Sequence, residues 1–174
     1  MNVGFIGLGN MGGPMAGWVL KAGLPLIVHD IREEVASPLL AQGATWASSP
    51  ADVASRSDIV CVCVPGPPEM EAVSLGPNGV VDGLKPGTVF IDHTTNSPET
   101  VRAVGEVVRQ REAFMLDAPL DGGREGALAG EITVFVGGAQ EALERARPVL
   151  DSFTKSVVWV GALGTGAVTK IVHN

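Results

Sequence analysis

The residues with the most chemical content stand near the start of the chain. Gly7-Leu8-Gly9-Asn10-Met11-Gly12 directly follows a short apolar run and opens a segment of helical length. Three glycines at this spacing suit a phosphate cradle. The first permits a tight turn, the second lets the backbone approach a pyrophosphate, and the third lets a helix pack on a strand. The N-terminus of the helix that follows offers free N–H groups and the positive end of its dipole to an anion. Asp30 ends the next apolar run, 18 residues after Gly12, where an acid accepts hydrogen bonds from the adenosine ribose of a dinucleotide. Its charge repels a 2′-phosphate and so favours NAD. Arg32, two residues on, could reach such a phosphate, which keeps NADP open. His29 reads as a strand residue.

A second constellation closes the chain. Lys170 and Asn174 stand four residues apart, on one face of a helical segment. A lysine held in a cleft exchanges a proton with an alcohol oxygen; on these residues alone, a solvated helix lysine is the competing reading. Cys61 and Cys63 share a face of an apolar strand, cannot bridge each other, and read as buried thiols of a reducing compartment.

These residues must be positioned by regular elements. The 174 residues are 45% hydrophobic, enough for a core, and the 23 glycines, about twice the usual share, serve tight turns or close approach to a ligand. Apolar runs at 3–7, 26–30, 59–64, 89–92, 114–117, 133–136 and 157–160 predict strands, several of them apolar on both faces. Helices are predicted at 11–22, 33–41, 50–55, 69–74, 98–111 and 141–152, with Ser49 and Ser97 as caps ahead of Pro50 and Pro98. The alternation predicts an α/β fold, a doubly wound, Rossmann-type, mostly parallel sheet with helices on both faces. A net charge of −7 argues against nucleic acid. No segment reads as a membrane span or a signal peptide, and a cytoplasmic location is expected. From Gly164 a further helix begins with no stop signal, which suggests truncation of a longer chain.

Three stretches in order carry a resemblance: residues 4–12, Asp117-Ala118-Pro119 with Gly122-Gly123 and Gly126-Ala127, and Gly164-Thr165-Gly166 with Lys170 and Asn174. Together they resemble the β-hydroxyacid dehydrogenases, the group of 3-hydroxyisobutyrate dehydrogenase, tartronate semialdehyde reductase and 6-phosphogluconate dehydrogenase. The resemblance implies hydride transfer between NAD(P) and the hydroxyl carbon of a small 3-hydroxy acid, or its semialdehyde. It makes Lys170 the proton donor and acceptor, and gives Asn174, Gly122 and Gly123 to the substrate. Thr95 and the Val64-Pro65 step are given to the nicotinamide end of the cofactor. Residues 1–163 would form the dinucleotide-binding domain and 164–174 the start of an interdomain helix. An all-helical domain would follow, which closes the site and makes a homo-oligomer. Without it, weak NAD binding and poor turnover are expected.

The sequence departs from that pattern at Asp121, where the family carries serine ahead of the paired glycines. Two readings stand: Asp121 turns outward as a helix N-cap, or it accepts hydrogen bonds from a hydroxyl- or amine-bearing substrate. His173 reads as a plain helix residue, although it resembles the decarboxylating 6-phosphogluconate branch. The alternatives for the chain are an imine or aldehyde reductase, against which Lys170 counts, and a nucleotide-binding module without turnover. No metal site is expected.

Overall fold

The computed structural model describes residues 1–174. The chain opens with β1 (Val3–Ile6), α1 (Gly12–Lys21) and β2 (Leu26–His29), then a 3-10 turn at Glu33–Ala36 that runs into α2 (Ser37–Leu40). Next come β3 (Thr45–Trp46), α3 (Pro50–Ser55), β4 (Ile59–Val62), α4 (Pro67–Leu75), α5 (Val80–Gly83) and β5 (Val89–Asp92). The second half comprises α6 (Pro98–Gln110), β6 (Phe114–Asp117), β7 (Leu120–Asp121), α7 (Gly123–Ala129), β8 (Ile132–Gly138), α8 (Gln140–Phe153), β9 (Thr154–Gly161) and α9 (Thr165–His173). The sheet runs β3-β2-β1-β4-β5-β6, all parallel; β8 then lies antiparallel to β6 and β7, with β9 parallel beyond it. The predicted doubly wound, mostly parallel sheet is present.

Strand alternation divides the core between the two faces. Phe5, Ile59, Cys61 and Ile91 pack on one side with Met15 and Val19 of α1 and Val149, Leu150 and Phe153 of α8. Val60, Val62 and Phe90 pack on the other with Val53, Met70, Val101, Val104 and Val108, from α3, α4 and α6. Every residue of β1, β4 and β5 is buried, as expected of parallel strands covered on both sides. The predicted caps form: Ser49 Oγ accepts the Asp52 N–H and Ser97 Oγ the Thr100 N–H, each at 3.1 Å.

Four elements were not anticipated. The strands β3 and β7 are two residues each, too short to show a period. The helix α5 is a single turn, and α7 lies in a glycine-rich stretch whose composition reads as loop. The segment 33–41, expected as one helix, splits into the 3-10 turn and the four-residue α2.

The β7 strand matters most for the site. Leu116 and Asp117 pair with Gly138 and Gly137, and Leu120 and Asp121 pair with Val134 and Thr133. The register is unbroken across Ala118 and Pro119. Thus β7 prolongs the line of β6 beyond the C-terminal edge of the parallel sheet. That edge also carries the loops after β1, β4 and β5, and it is where doubly wound folds bind ligands.

Candidate functional site

The glycine-rich loop joins β1 to α1. Gly7 holds φ at +86°, in the left-handed region that glycine occupies at little cost. A Cβ there would overlap the Cys63 carbonyl oxygen, and a Cβ on Gly12 would overlap the carbonyl oxygen of Gly7. Gly9 differs, because nothing lies within 4 Å of its Cβ position. Its bare backbone borders open space. Beside it, α1 starts with no side-chain cap and no acid in its first turn, so no side chain competes for its N–H groups. Two glycines required by packing and a third that opens outward, before an uncapped helix, fit a dinucleotide pyrophosphate.

Asp30 is tied into this loop. Its Oδ2 accepts the Leu8 N–H at 2.8 Å and its Oδ1 the Arg32 N–H at 2.9 Å. The acid therefore sets the loop against the end of β2 as well as offering a carboxylate beside it. Asn10 and the Arg32 side chain are exposed, and Met11 is half-buried.

The loops after β4 and β5 are joined by Val64, whose N–H donates to Thr94 Oγ1 at 3.2 Å. Thr94 is buried; Pro65 and Thr95 are exposed. Behind them, Asp92 is fully buried and accepts from the Thr94 N–H at 2.8 Å and Asn96 Nδ2 at 3.0 Å. Burial pushes its carboxyl up to about 6, against those two donors. His93 is wedged between Phe5 and Phe153. Its Nδ1 lies 2.9 Å from the Ala118 carbonyl, which can only accept, so Nδ1 carries the proton. Its Nε2 has no partner, and burial pushes the imidazolium down to about 4.

The helix that carries the lysine is rooted on Asp117. This acid is buried at the end of β6; its Oδ1 accepts the Gly164 N–H at 2.8 Å and its Oδ2 the Ala167 N–H at 2.7 Å. A Cβ on Gly137 would overlap Asp117 Oδ1, so that glycine leaves room for the carboxylate. Burial raises the Asp117 carboxyl and the backbone amides of α9 oppose the rise.

From this root α9 crosses β8 and brings Lys170 to Asp121. The Nζ lies 3.6 Å from Asp121 Oδ1, and the lysine side chain is only 12% exposed. The solvated-lysine reading is thereby excluded. His173 Nε2 lies 3.4 Å from Asp121 Oδ2, and its ring stands 5.4 Å from that of Phe135. His173 is thus a neighbour of the lysine cluster and not a plain helix residue. The N-cap reading of Asp121 also fails: Gly122, at φ +124°, is the residue before α7, and no side chain caps that helix. Asp121 ends β7 with its carboxylate toward α9. Gly122 and Gly123 follow it on the surface, and Asn174 is exposed at the end of α9.

The fold thus gathers the predicted residues along one edge of the sheet. It adds Asp92, Thr94, Asp117 and His173. The sequence signal for Asp117 is an acid ending an apolar strand; its partner, the turn before α9, lies 47 residues along the chain, beyond any local pattern. Both cysteines are free, and burial raises each thiol well above its ordinary range. No group of three or more His, Cys, Asp or Glu residues is placed to hold a metal. No helix is long and apolar enough to cross a membrane.

A parallel sheet of this order, with a glycine cradle at its C-terminal edge, defines a Rossmann-type dinucleotide-binding domain. Residues 2–161 match the family model of the NAD binding domain of 6-phosphogluconate dehydrogenase, and the chain belongs to that family. It is 38% identical over 172 residues to an NAD-dependent L-serine dehydrogenase of Pseudomonas aeruginosa, covering 99% of this chain and 58% of that one. A mitochondrial 3-hydroxyisobutyrate dehydrogenase of Mus musculus is also 38% identical, over 99% of this chain and 51% of its own length. Among solved structures, a Mycobacterium tuberculosis 3-hydroxyisobutyrate dehydrogenase with L-serine superposes with a TM-score of 0.92 at 31% identity, covering 99% and 58%. The chain spans just over half the length of these relatives.

Proposed function

We propose that this chain is the cofactor-binding and proton-transferring part of an NAD-dependent 3-hydroxyacid dehydrogenase, with NADP as the lesser cofactor. The observation that carries the reading is Lys170. Its side chain is only 12% exposed, on a helix rooted at the C-terminal edge of a sheet whose first loop is a pyrophosphate cradle.

Gly7, Leu8, Gly9, Asn10, Met11 and Gly12 hold the pyrophosphate on bare backbone. Asp30 takes the adenosine ribose, with Arg32 beside it; Val64, Pro65 and Thr95 border the nicotinamide end. Bound nicotinamide supplies the hydride to the carbonyl carbon in reduction and takes it up in oxidation. Lys170 handles the proton. In oxidation the substrate C–H bond breaks as the hydride leaves, and the hydroxyl proton passes to the neutral amine form of Lys170, giving the ammonium; in reduction the ammonium returns that proton to the carbonyl oxygen. The backbone of Gly122 and Gly123 and the side chain of Asn174 hold the substrate. Asp117 fixes the helix on which Nζ and Asn174 ride.

Residues 1–163 act as the dinucleotide-binding domain and 164–174 as the first part of an interdomain helix. Val168, Ile171 and Val172 are 42%, 58% and 80% exposed, an apolar face suited to cover by the remainder of a longer, homo-oligomeric protein. The unpaired thiols suit a reducing, cytoplasmic setting.

The test is a panel of small 3-hydroxy acids offered with NAD to the full-length protein, followed by the absorbance of the reduced cofactor. At least one member is oxidised, faster with NAD than with NADP. No oxidation of any member, and no reduction of any semialdehyde, would overturn the reading.

A further inference from the structure

Asp121 holds a carboxylate beside Lys170, and its acceptor capacity is not filled. The two neighbouring nitrogens stand 3.6 Å from Oδ1 and 3.4 Å from Oδ2. Charge-assisted N–H···O bonds measure about 2.7–2.9 Å, and a carboxylate accepts about four bonds over its two oxygens. Lys170 and His173 therefore flank the group without saturating it, and its side chain is 40% exposed on the remaining side. Its position is fixed from behind. Asp121 pairs with Thr133 across the β7–β8 ladder, the chain turns sharply at Gly122, and His173 is braced by the Phe135 ring.

A substrate that fills this space displaces the water from Asp121. The carboxylate then needs a donor from the substrate itself, because a buried acceptor left without one costs far more than a typical hydrogen bond contributes. Charge points the same way. Asp121 already balances the Lys170 ammonium, so a substrate carboxylate with no cation of its own adds an unbalanced negative charge to the cluster. A substrate that carries an ammonium adds none. A hydroxyl donates a hydrogen bond but brings no charge, and an alkyl group does neither.

We propose that Asp121 is a specificity-determining residue. Its carboxylate, set between Lys170 and His173, receives an ammonium or hydroxyl group carried on the carbon between the carboxylate and the reacting carbon of a 3-hydroxy acid. The ranking is ammonium first, hydroxyl second, alkyl last. The inference rests on the dehydrogenase reading above and names the substrate class for that same site.

Three acids that differ only at that carbon serve as probes: serine, glycerate and 3-hydroxyisobutyrate. Their dissociation constants are measured by calorimetry on the full-length protein saturated with NADH, which cannot oxidise them, and kcat/KM is measured for each with NAD. Serine binds at least about tenfold more tightly than 3-hydroxyisobutyrate, the scale of one charge-assisted hydrogen bond. Asp121→Ser removes most of that gap. Asp121→Asn keeps an acceptor for glycerate but loses the charge, so serine weakens more than glycerate does. Because Asp121 is partly exposed, both variants melt close to the wild type, and circular dichroism checks that they do. An order of preference unchanged by Asp121→Ser, or an alkyl preference in the wild type, would overturn the inference and leave the dehydrogenase reading standing. Failure of all three acids to bind or react, in a protein that binds NAD, would instead overturn that reading.

Discussion

Within the six residues of the phosphate loop, glycine meets two opposite demands. Gly7 and Gly12 are glycine because protein backbone fills the place of a Cβ, and Gly9 is glycine although nothing occupies that place. Substitution separates the two. Gly12→Ala forces the start of α1 away from the Gly7 carbonyl and destabilises the fold by about 2 kcal/mol or more, in the range of overpacked core sites. Gly9→Ala leaves the fold within about 0.5 kcal/mol of wild type, yet weakens NADH binding at least about tenfold by holding the pyrophosphate off the backbone. Chemical denaturation and fluorescence titration measure the two effects; equal losses in both quantities for both variants would contradict this division. The glycines and Asp30 were legible in the sequence because their meaning is local: a spacing, a preceding strand, a following helix. Asp121 was not. Its partners are on α9, 49 and 52 residues away, and no local pattern tells a helix cap from the neighbour of a lysine.

At the scale of elements, the helix that carries Lys170 is held by a strand end. Asp117 replaces a conventional N-cap on α9, reaching from β6 to two backbone N–H groups that would otherwise be buried without partners. Asp117→Ala leaves those groups unsatisfied and costs about 2 kcal/mol. Its effect is local: amide exchange accelerates at 164–170, while the core strands keep their relative protection. Protection of 164–170 equal to wild type would show that packing on β8, and not the carboxylate, seats the helix. The strands and long helices were readable from apolar periods and proline caps. The β7 strand was not, since two residues carry no period. It is β7 that continues the β6 line and delivers Asp121 to the site.

At the scale of the whole molecule, the sheet buries two ionisable groups in sequence, Asp92 and His93, whose effects on stability oppose each other. Burial pushes His93 down to about 4, so between an ordinary value near 6.5 and about 4 the unfolded chain binds a proton that the folded chain refuses. Stability due to His93 is full above that window and is lost as the pH falls through it, by about 3 kcal/mol in total. Burial pushes Asp92 up to about 6. Between about 6 and the ordinary carboxylate range the folded chain keeps a proton that the unfolded chain has released, so stability due to Asp92 grows as the pH falls. Asp117 adds in the same sense. Replacing His93 by Met removes one side of the opposition. Relative to wild type, the variant gains stability steadily from about pH 6.5 down to about 4, read from denaturant midpoints at each pH. A constant difference between the two proteins over that range would contradict the assignment of His93 as a buried neutral base.

The proposed chemistry depends on one lysine: Lys170 moves the proton while the glycine loop binds the cofactor independently of it. The most direct test compares wild type with Lys170→Ala in the full-length protein, measuring the NADH dissociation constant by fluorescence and the rate of hydride transfer in a single turnover with a reactive 3-hydroxy acid. NADH affinity is expected within about twofold of wild type, with a transfer rate lower by about 10²–10⁴. An unchanged transfer rate, or a rate loss matched by an equal loss of NADH affinity, would contradict it.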